Sequence, residues 1–338
     1  MCGGGYALYW YHNFFVEHGV EIKYILDKNA SEKCGEKFGT PVVNSDYLLE
    51  LNDVSNYKFV VTAPKYRDEI IQEICLTFGN VTIYSFEAEI YYTFIKNVQE
   101  YRNFLYDNWE RFEELSACLA DEKSKETIVA FLKGRVSANQ KYFIDVMESD
   151  QYFPKDIIKL SPNEIIVEVG SNDGKTLEDI LSRTNREYQK IYCFEPDEEC
   201  TPLLEEIIKK EQGDIQLVKK GVGEHVEKLR FKSNSQRGAS HVVDSEEYDY
   251  VISITTLDDE IKEKVTYIKM DIEGMELKAL KGAEKLIRQY HPRLALCVYH
   301  EKEDILDIFE YLKDLELGYK FYLRHHNWGA TETVLYAI

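Results

Sequence analysis

The stretch NEIIVEVGSNDGKTLEDIL (163–181) passes from an apolar run, through a turn bounded by glycines, into a helically spaced pattern. Residues 164–169 read as a buried strand, because branched aliphatic side chains fill every position from 165 to 169 except Glu168. Gly170 lets the chain turn sharply at the strand's carboxyl end, and Gly174 lets the following helix start close to a ligand. Strand, turn and helix in direct succession predict an α/β fold whose ligand sits outside this edge of the sheet.

Glycines also mark ordinary strand-to-helix turns, so the turn alone does not establish a cofactor. The next strand, KIYCFEPD (190–197), adds weight. It ends in Glu195, 21 residues after Gly174, near the ~20-residue offset of a carboxylate that holds a ribose diol. The charge of the turn separates two cofactors. Glu168 precedes the turn and Asp173 lies within it; carboxylates repel a pyrophosphate but suit an ammonium or sulfonium. Glu168, Gly170, Ser171, Asn172, Asp173, Gly174 and Glu195 are therefore expected to hold S-adenosylmethionine rather than NAD.

Outward from this unit, strands are expected at 190–194, 214–220, 227–232, 249–254, 266–271 and 293–299. Helices are expected at 175–184, 197–211, 274–289 and 302–315. YKFYLRHH (319–326) and ETVLYAI (332–338) flank the short polar loop NWGAT, which predicts a hairpin and an antiparallel terminal strand. Residues 1–86 also alternate, with strands at 21–27, 41–44, 57–63 and 80–86 and a helix at 66–79, so a small Rossmann-like domain is expected there. Between them, residues 88–121 contain neither proline nor glycine and read as one long amphipathic helix, followed by a second and a third. The expected domains are 1–86, a helical connector 87–160, and 161–338.

The chain opens MCGGG, and Gly3 and Gly5 fit a G-x-G-x-x-G turn whose third glycine position holds Leu8. No strand precedes it. Either the natural chain starts upstream or this domain lacks one strand, and a docking or recognition role is expected for it.

The net charge is −20, from 41 Lys+Arg against 61 Asp+Glu. Double-stranded nucleic acid is bound through phosphate neutralisation, so this surface argues against it. No apolar run approaches the ~20 residues that span a bilayer, and no secretion signal is visible, so a cytoplasmic location is expected. Seven cysteines without a CxxC pair argue against a zinc knuckle.

VTYIKMDIEGMELKALKGAEKLI (265–287), with IIVEVGSNDGKTL and YCFEPD, resembles the FkbM family of S-adenosylmethionine-dependent methyltransferases. TTLDDEI (255–261), LCVYHEKEDILDI (296–308) and the terminal hairpin are similar to it too, and the connector looks like that of two-domain bacterial members. The resemblance implies a seven-stranded class I methyltransferase fold and O-methylation of a sugar or nucleotide-linked sugar in surface-glycan biosynthesis. It leaves a homo-oligomer open.

Asp271 and Glu273 stand where the strand YIKMD ends. They suit a helix N-cap and first-turn acid, or a place beside the cofactor methyl group with Asp271 contacting cofactor and one or both orienting an acceptor hydroxyl or holding Mg²⁺. His300 matches the family's YH pair, and imidazole suits a general base near neutral pH. His241, His325, Arg237 and Arg324 lie in or beside loops and are expected substrate contacts, the arginines for a phosphate. Two other readings remain: an NAD(P)- or nucleotide-sugar-binding enzyme that uses the N-terminal domain, and a non-catalytic module that keeps the fold.

Overall fold

The computed structural model describes residues 7–17, 19–28, 30, 35–50, 54–63, 66–85, 96–137, 139, 141–233 and 240–338. The glycines at 3–5 and Arg237 lie outside these residues. The chain divides into two compact units, Met1–Asn103 with Lys133–Gln140, and Phe104–Leu132 with Lys141–Ile338.

The second unit is built on a mixed seven-stranded sheet. Its strands are β1 (Ile165–Val169), β2 (Lys190–Phe194), β3 (Ile215–Val218), β4 (Tyr267–Met270), β5 (Arg293–Cys297), β6 (Phe321–His325) and β7 (Thr333–Ala337). The order across the sheet is β6-β7-β5-β4-β1-β2-β3. The five from β5 to β3 are parallel, and β7 runs antiparallel to both β5 and β6. Every residue of β1, β4 and β7 is buried, which explains why these strands read as continuous rather than alternating apolar runs.

A smaller sheet orders strands His241–Val242, Glu227–Lys232, Tyr250–Thr255 and Gly221–Val222. Asp197, fully buried just past β2, fastens it. The Asp197 carboxylate accepts from Ser240 (2.6 Å), Tyr250 (2.8 Å) and Ser233 (2.9 Å).

Two expected helices are broken. The run at 274–289 forms Glu276–Lys281 and Glu284–Tyr290; between them the Gly282 carbonyl accepts from the Asp258 N–H (3.1 Å), and the Asp258 carboxylate accepts from the N–H groups of Lys285 (3.1 Å) and Leu286 (2.8 Å) in the second helix. The run at 88–121 gives helices Lys96–Asp107 and Trp109–Cys118. At the boundary the Asn108 side-chain amide donates to the Phe104 carbonyl (2.9 Å), which also accepts from the Asn108 N–H (3.0 Å); residues 88–95 lie outside the described residues.

In the first unit, strands Lys58–Val61 and Thr82–Ser85 pair in parallel around helix Arg67–Phe78, a βαβ arrangement. Thr40–Val43 pairs parallel with Ile25–Leu26 and antiparallel with Glu36–Lys37. Only Ile25 and Leu26 of the strand expected at 21–27 take up pairing. Val43, Leu48, Phe59, Val61 and Ile74 form its core, and an aromatic pocket is lined by Tyr24, Tyr57, Phe59 and Tyr84.

Arg324 and His325, expected above as substrate contacts, are both buried in β6 and have partners there. Arg324 is 1% exposed and donates to Asp121 (2.6 Å), Asp156 (2.9 Å) and Ser124 (2.8 Å). His325 Nδ1 lies 2.8 Å from the Thr333 hydroxyl, and its ring packs on Phe143. A buried guanidinium must be paired, and here it ties helix Glu122–Ser137 to the sheet edge. Burial would raise the Asp121 carboxyl, but hydrogen bonds from Arg324 and Ser124 outweigh it and hold it at about 2.

That shift gives a pH signature. A carboxyl held below its unfolded value of ~3.9 stabilises the fold above that pH and loses the contribution as pH falls through about 2. Asp121→Asn should therefore lower the urea midpoint at pH 7, and the gap to the unaltered protein should shrink between pH ~4 and ~2. A gap independent of pH would show that Arg324 does not stabilise the fold through Asp121.

Candidate active site

The carboxyl ends of β1, β2 and β4 border an open pocket, on the edge where ligands of such sheets sit. Gly170, Asn172, Glu195, His241, Asp271 and Glu273 line it. The loop after β1 is pressed against the chain after β4. Gly170 has φ +81°, and a Cβ there would stand 1.9 Å from the Asp271 carbonyl oxygen, so no other residue fits without moving backbone.

Lys269 fastens the same contact. It sits in β4, 2% exposed and in register beside Glu168 of β1, and its Nζ donates to the Gly170 carbonyl (2.6 Å). Gly174 behaves differently from expectation. Its close approach within the protein is to Ile207 of helix Thr201–Lys210, where a Cβ would meet Cδ1 at 2.4 Å.

Glu195 closes the turn from the β2 side. One carboxylate oxygen accepts from the Asn172 N–H (2.7 Å) and the other from the Asp197 N–H (2.8 Å). Burial pushes its carboxyl up to about 7 despite both bonds. The remaining lone pairs of these oxygens are available to a ligand at the pocket wall. Glu168 and Ser171 lie beneath the turn, bonded to each other at 3.0 Å, and Glu168 Oε1 is buried with no hydrogen-bond partner. Asp173 pairs with Lys175 on the outside. Of the expected cofactor residues, Gly170, Asn172, Glu195 and Asp271 line the pocket; Glu168 and Ser171 support it from below.

Asp271 is held on both oxygens: Tyr152 donates to Oδ2 (2.7 Å) and Tyr299 to Oδ1 (3.2 Å). Burial keeps both phenols protonated, so both remain donors. His300 stands behind, its side chain 8% exposed. Its Nε2 lies 3.4 Å from Asp271 and 3.7 Å from Glu273, and its Nδ1 lies 3.0 Å from Glu276. Burial alone would lower the imidazole pKa, but Asp271 and Glu276 outweigh it and push it up to about 11. A general base needs a proton-free nitrogen near neutral pH, and this setting keeps the proton on, so the ring acts as a cation here rather than as the expected base. Burial raises Glu273 to about 7, and its backbone is left-handed at φ +55°, a strained setting of the kind found at functional loops.

Residues 168–321 match the family model of the methyltransferase FkbM domain. The chain carries an FkbM methyltransferase domain.

A crystal structure of a methyltransferase FkbM from Methylobacillus flagellatus KT is similar to the chain at TM-score 0.76 and 25% identity, covering 94% of this chain and 84% of that one. Aeropyrum pernix fibrillarin, in complex with S-adenosyl-L-methionine, gives a TM-score of 0.35 at 12% identity, covering 54% and 71%. A putative rRNA methylase from Clostridium thermocellum gives 0.33 at 11%, covering 59% and 90%. These last two likenesses are too slight to build on. No curated protein matches the chain significantly.

Three residues around the FkbM site were not expected from sequence. Lys269 had a signal, since it is a lone charge in a strand whose four residues are all buried. Glu276 reads as an ordinary first-turn acid, yet it is fully buried and accepts from the N–H groups of Ile272 (2.8 Å) and Gly274 (3.1 Å). Tyr152 reaches Asp271 across 119 positions, and nothing in QYFP announces it.

In the FkbM domain, Gly170→Ala should cost ~1–3 kcal/mol of stability from left-handed strain and backbone displacement. The same variant should lose ligand binding at this pocket at a temperature where it is still folded. Thermal unfolding with calorimetry checks both, and an Ala variant that binds as the unaltered protein does would break the proposed contact between the two loops.

Proposed function

We propose that the chain is an S-adenosylmethionine-dependent O-methyltransferase acting on a sugar hydroxyl, in surface-glycan biosynthesis. The observation that carries this reading is the meeting of Asn172, Glu195, Asp271 and Glu273 around one pocket at the carboxyl edge of an FkbM domain. The donor set fits the cofactor: Glu195 faces the pocket with free lone pairs for a ribose diol, and the ionised Asp271 offers negative charge to a cationic group. When bound, S-adenosylmethionine supplies an activated methyl group.

The chain's own residues orient and deprotonate the acceptor. Each oxygen of Asp271 already accepts one bond from a tyrosine, whereas among the hydrogen bonds of the described residues none involves the carboxylate of Glu273. Glu273 therefore takes the proton of the acceptor hydroxyl, and Asp271, fixed by Tyr152 and Tyr299, sets the hydroxyl's direction. His241, on the strand fastened through Ser240 to Asp197, contacts the acceptor. The first unit is read as a recognition domain.

Calorimetry should show S-adenosylmethionine binding that Glu195→Ala weakens at least tenfold, the loss of about one good hydrogen-bonding pair. Release of S-adenosylhomocysteine, measured across a panel of free and nucleotide-linked sugars, should fall ~10²-fold in Glu273→Gln with cofactor affinity kept. A chain that does not bind S-adenosylmethionine refutes the cofactor assignment. One that binds it but turns over no member of the panel favours a non-catalytic module.

A further inference from the structure

We propose a divalent-cation site formed by Asp271, Glu276 and His300, suited to a first-row transition ion such as Mn²⁺. Each of the three can offer one donor atom so that all lie within 4.8 Å of one another. Donors on opposite sides of one ion, with bonds of ~2.1 Å, stand ~4.2 Å apart, so shifts of under about an ångström bring all three onto a single ion. Glu273, 3.7 Å from His300 Nε2, stands at the rim of the same cluster.

The acids alone would not make this site. The independent observation is the imidazole of His300. Its side chain is 92% buried, it is aimed between three carboxylates, and neither ring nitrogen has an aligned hydrogen-bond partner. The ring therefore meets its carboxylates through unaligned ion pairs, and a metal ion that displaces the ring proton and takes the lone pair in its place bonds that nitrogen directly and releases the proton. The two carboxylates are pre-positioned by bonds that leave lone pairs spare. Asp271 is held by Tyr152 and Tyr299, and Glu276 by the amides of Ile272 and Gly274.

One nitrogen with two carboxylate oxygens and no thiolate selects against Mg²⁺ and Ca²⁺, which prefer all-oxygen shells, and in favour of Mn²⁺ or its neighbours. Asp271 also lines the pocket, so an ion there lies within reach of an acceptor oxygen and would lower the pKa of a hydroxyl that met it. The site stands whichever acceptor the pocket takes.

The test is Mn²⁺ titrated into the full-length, chelator-stripped protein, followed by calorimetry and pulsed electron paramagnetic resonance. The expected result is one tightly bound ion per chain with a nitrogen coupling in its spectrum. In His300→Ala, shown folded by circular dichroism, the coupling should vanish and affinity should fall at least tenfold. Absence of tight uptake overturns the proposal. So does bound Mn²⁺ without nitrogen coupling, which is an ion on the acidic surface, and so does a folded His300→Ala of unchanged affinity. If that variant does not fold, the coupling in the unaltered protein decides by itself. S-adenosylmethionine calorimetry on the stripped protein reports separately on the cofactor.

Discussion

Asp271 holds its negative charge at the carboxyl end of β4 because two phenols, an imidazolium and a buried lysine surround it. The two tyrosines bond its oxygens directly. His300 and Lys269 supply positive charge and, with the bond from Tyr152, hold the carboxyl well below its ordinary range, against the opposing pull of burial. The same lysine bonds the Gly170 carbonyl and lies over the Tyr152 ring at 5.0 Å. One buried cation thus fixes the turn after β1 and helps charge the acid after β4, so the pocket edge of the sheet is held by the protein's own bonds.

The surrounding frame keeps these groups where they are. Arg324 joins β6 to the helix Glu122–Ser137 and to Asp156, four positions beyond Tyr152. Asp197 ties the small sheet, with His241 on its edge, to the end of β2. Neither group needs to touch a ligand. Asp197, through Ser240, holds the strand edge that lines the pocket, and Arg324 holds the segment that follows Tyr152.

Much of the pocket was legible because strand ends announce themselves. Largely apolar strands give way to Gly170, Glu195 and Asp271 at the carboxyl edge, and the fold class marks that edge as the ligand side. What was not legible depends on adjacency in space. Tyr152 lies in a segment whose local pattern predicts only a connector, and Glu276 imitates a capping residue because it performs that task as well. Arg324 and His325 were misjudged since a position beside a polar loop suggests solvent, whereas strand pairing carries both indoors. The division of the run at 274–289 was not legible either, because it accompanies bonds to Asp258, a residue distant in sequence that periodicity does not register.

The central claim is that ligand chemistry is confined to the edge where the turns after β1, β2 and β4 meet. Hydrogen–deuterium exchange with and without S-adenosylhomocysteine tests it most directly, because it reads every segment of the full chain at once. The account predicts slowed exchange at 169–174, 194–197, 240–242 and 271–276. Slowed exchange confined to the aromatic pocket of the first unit, around Tyr24 and Tyr57, would contradict it.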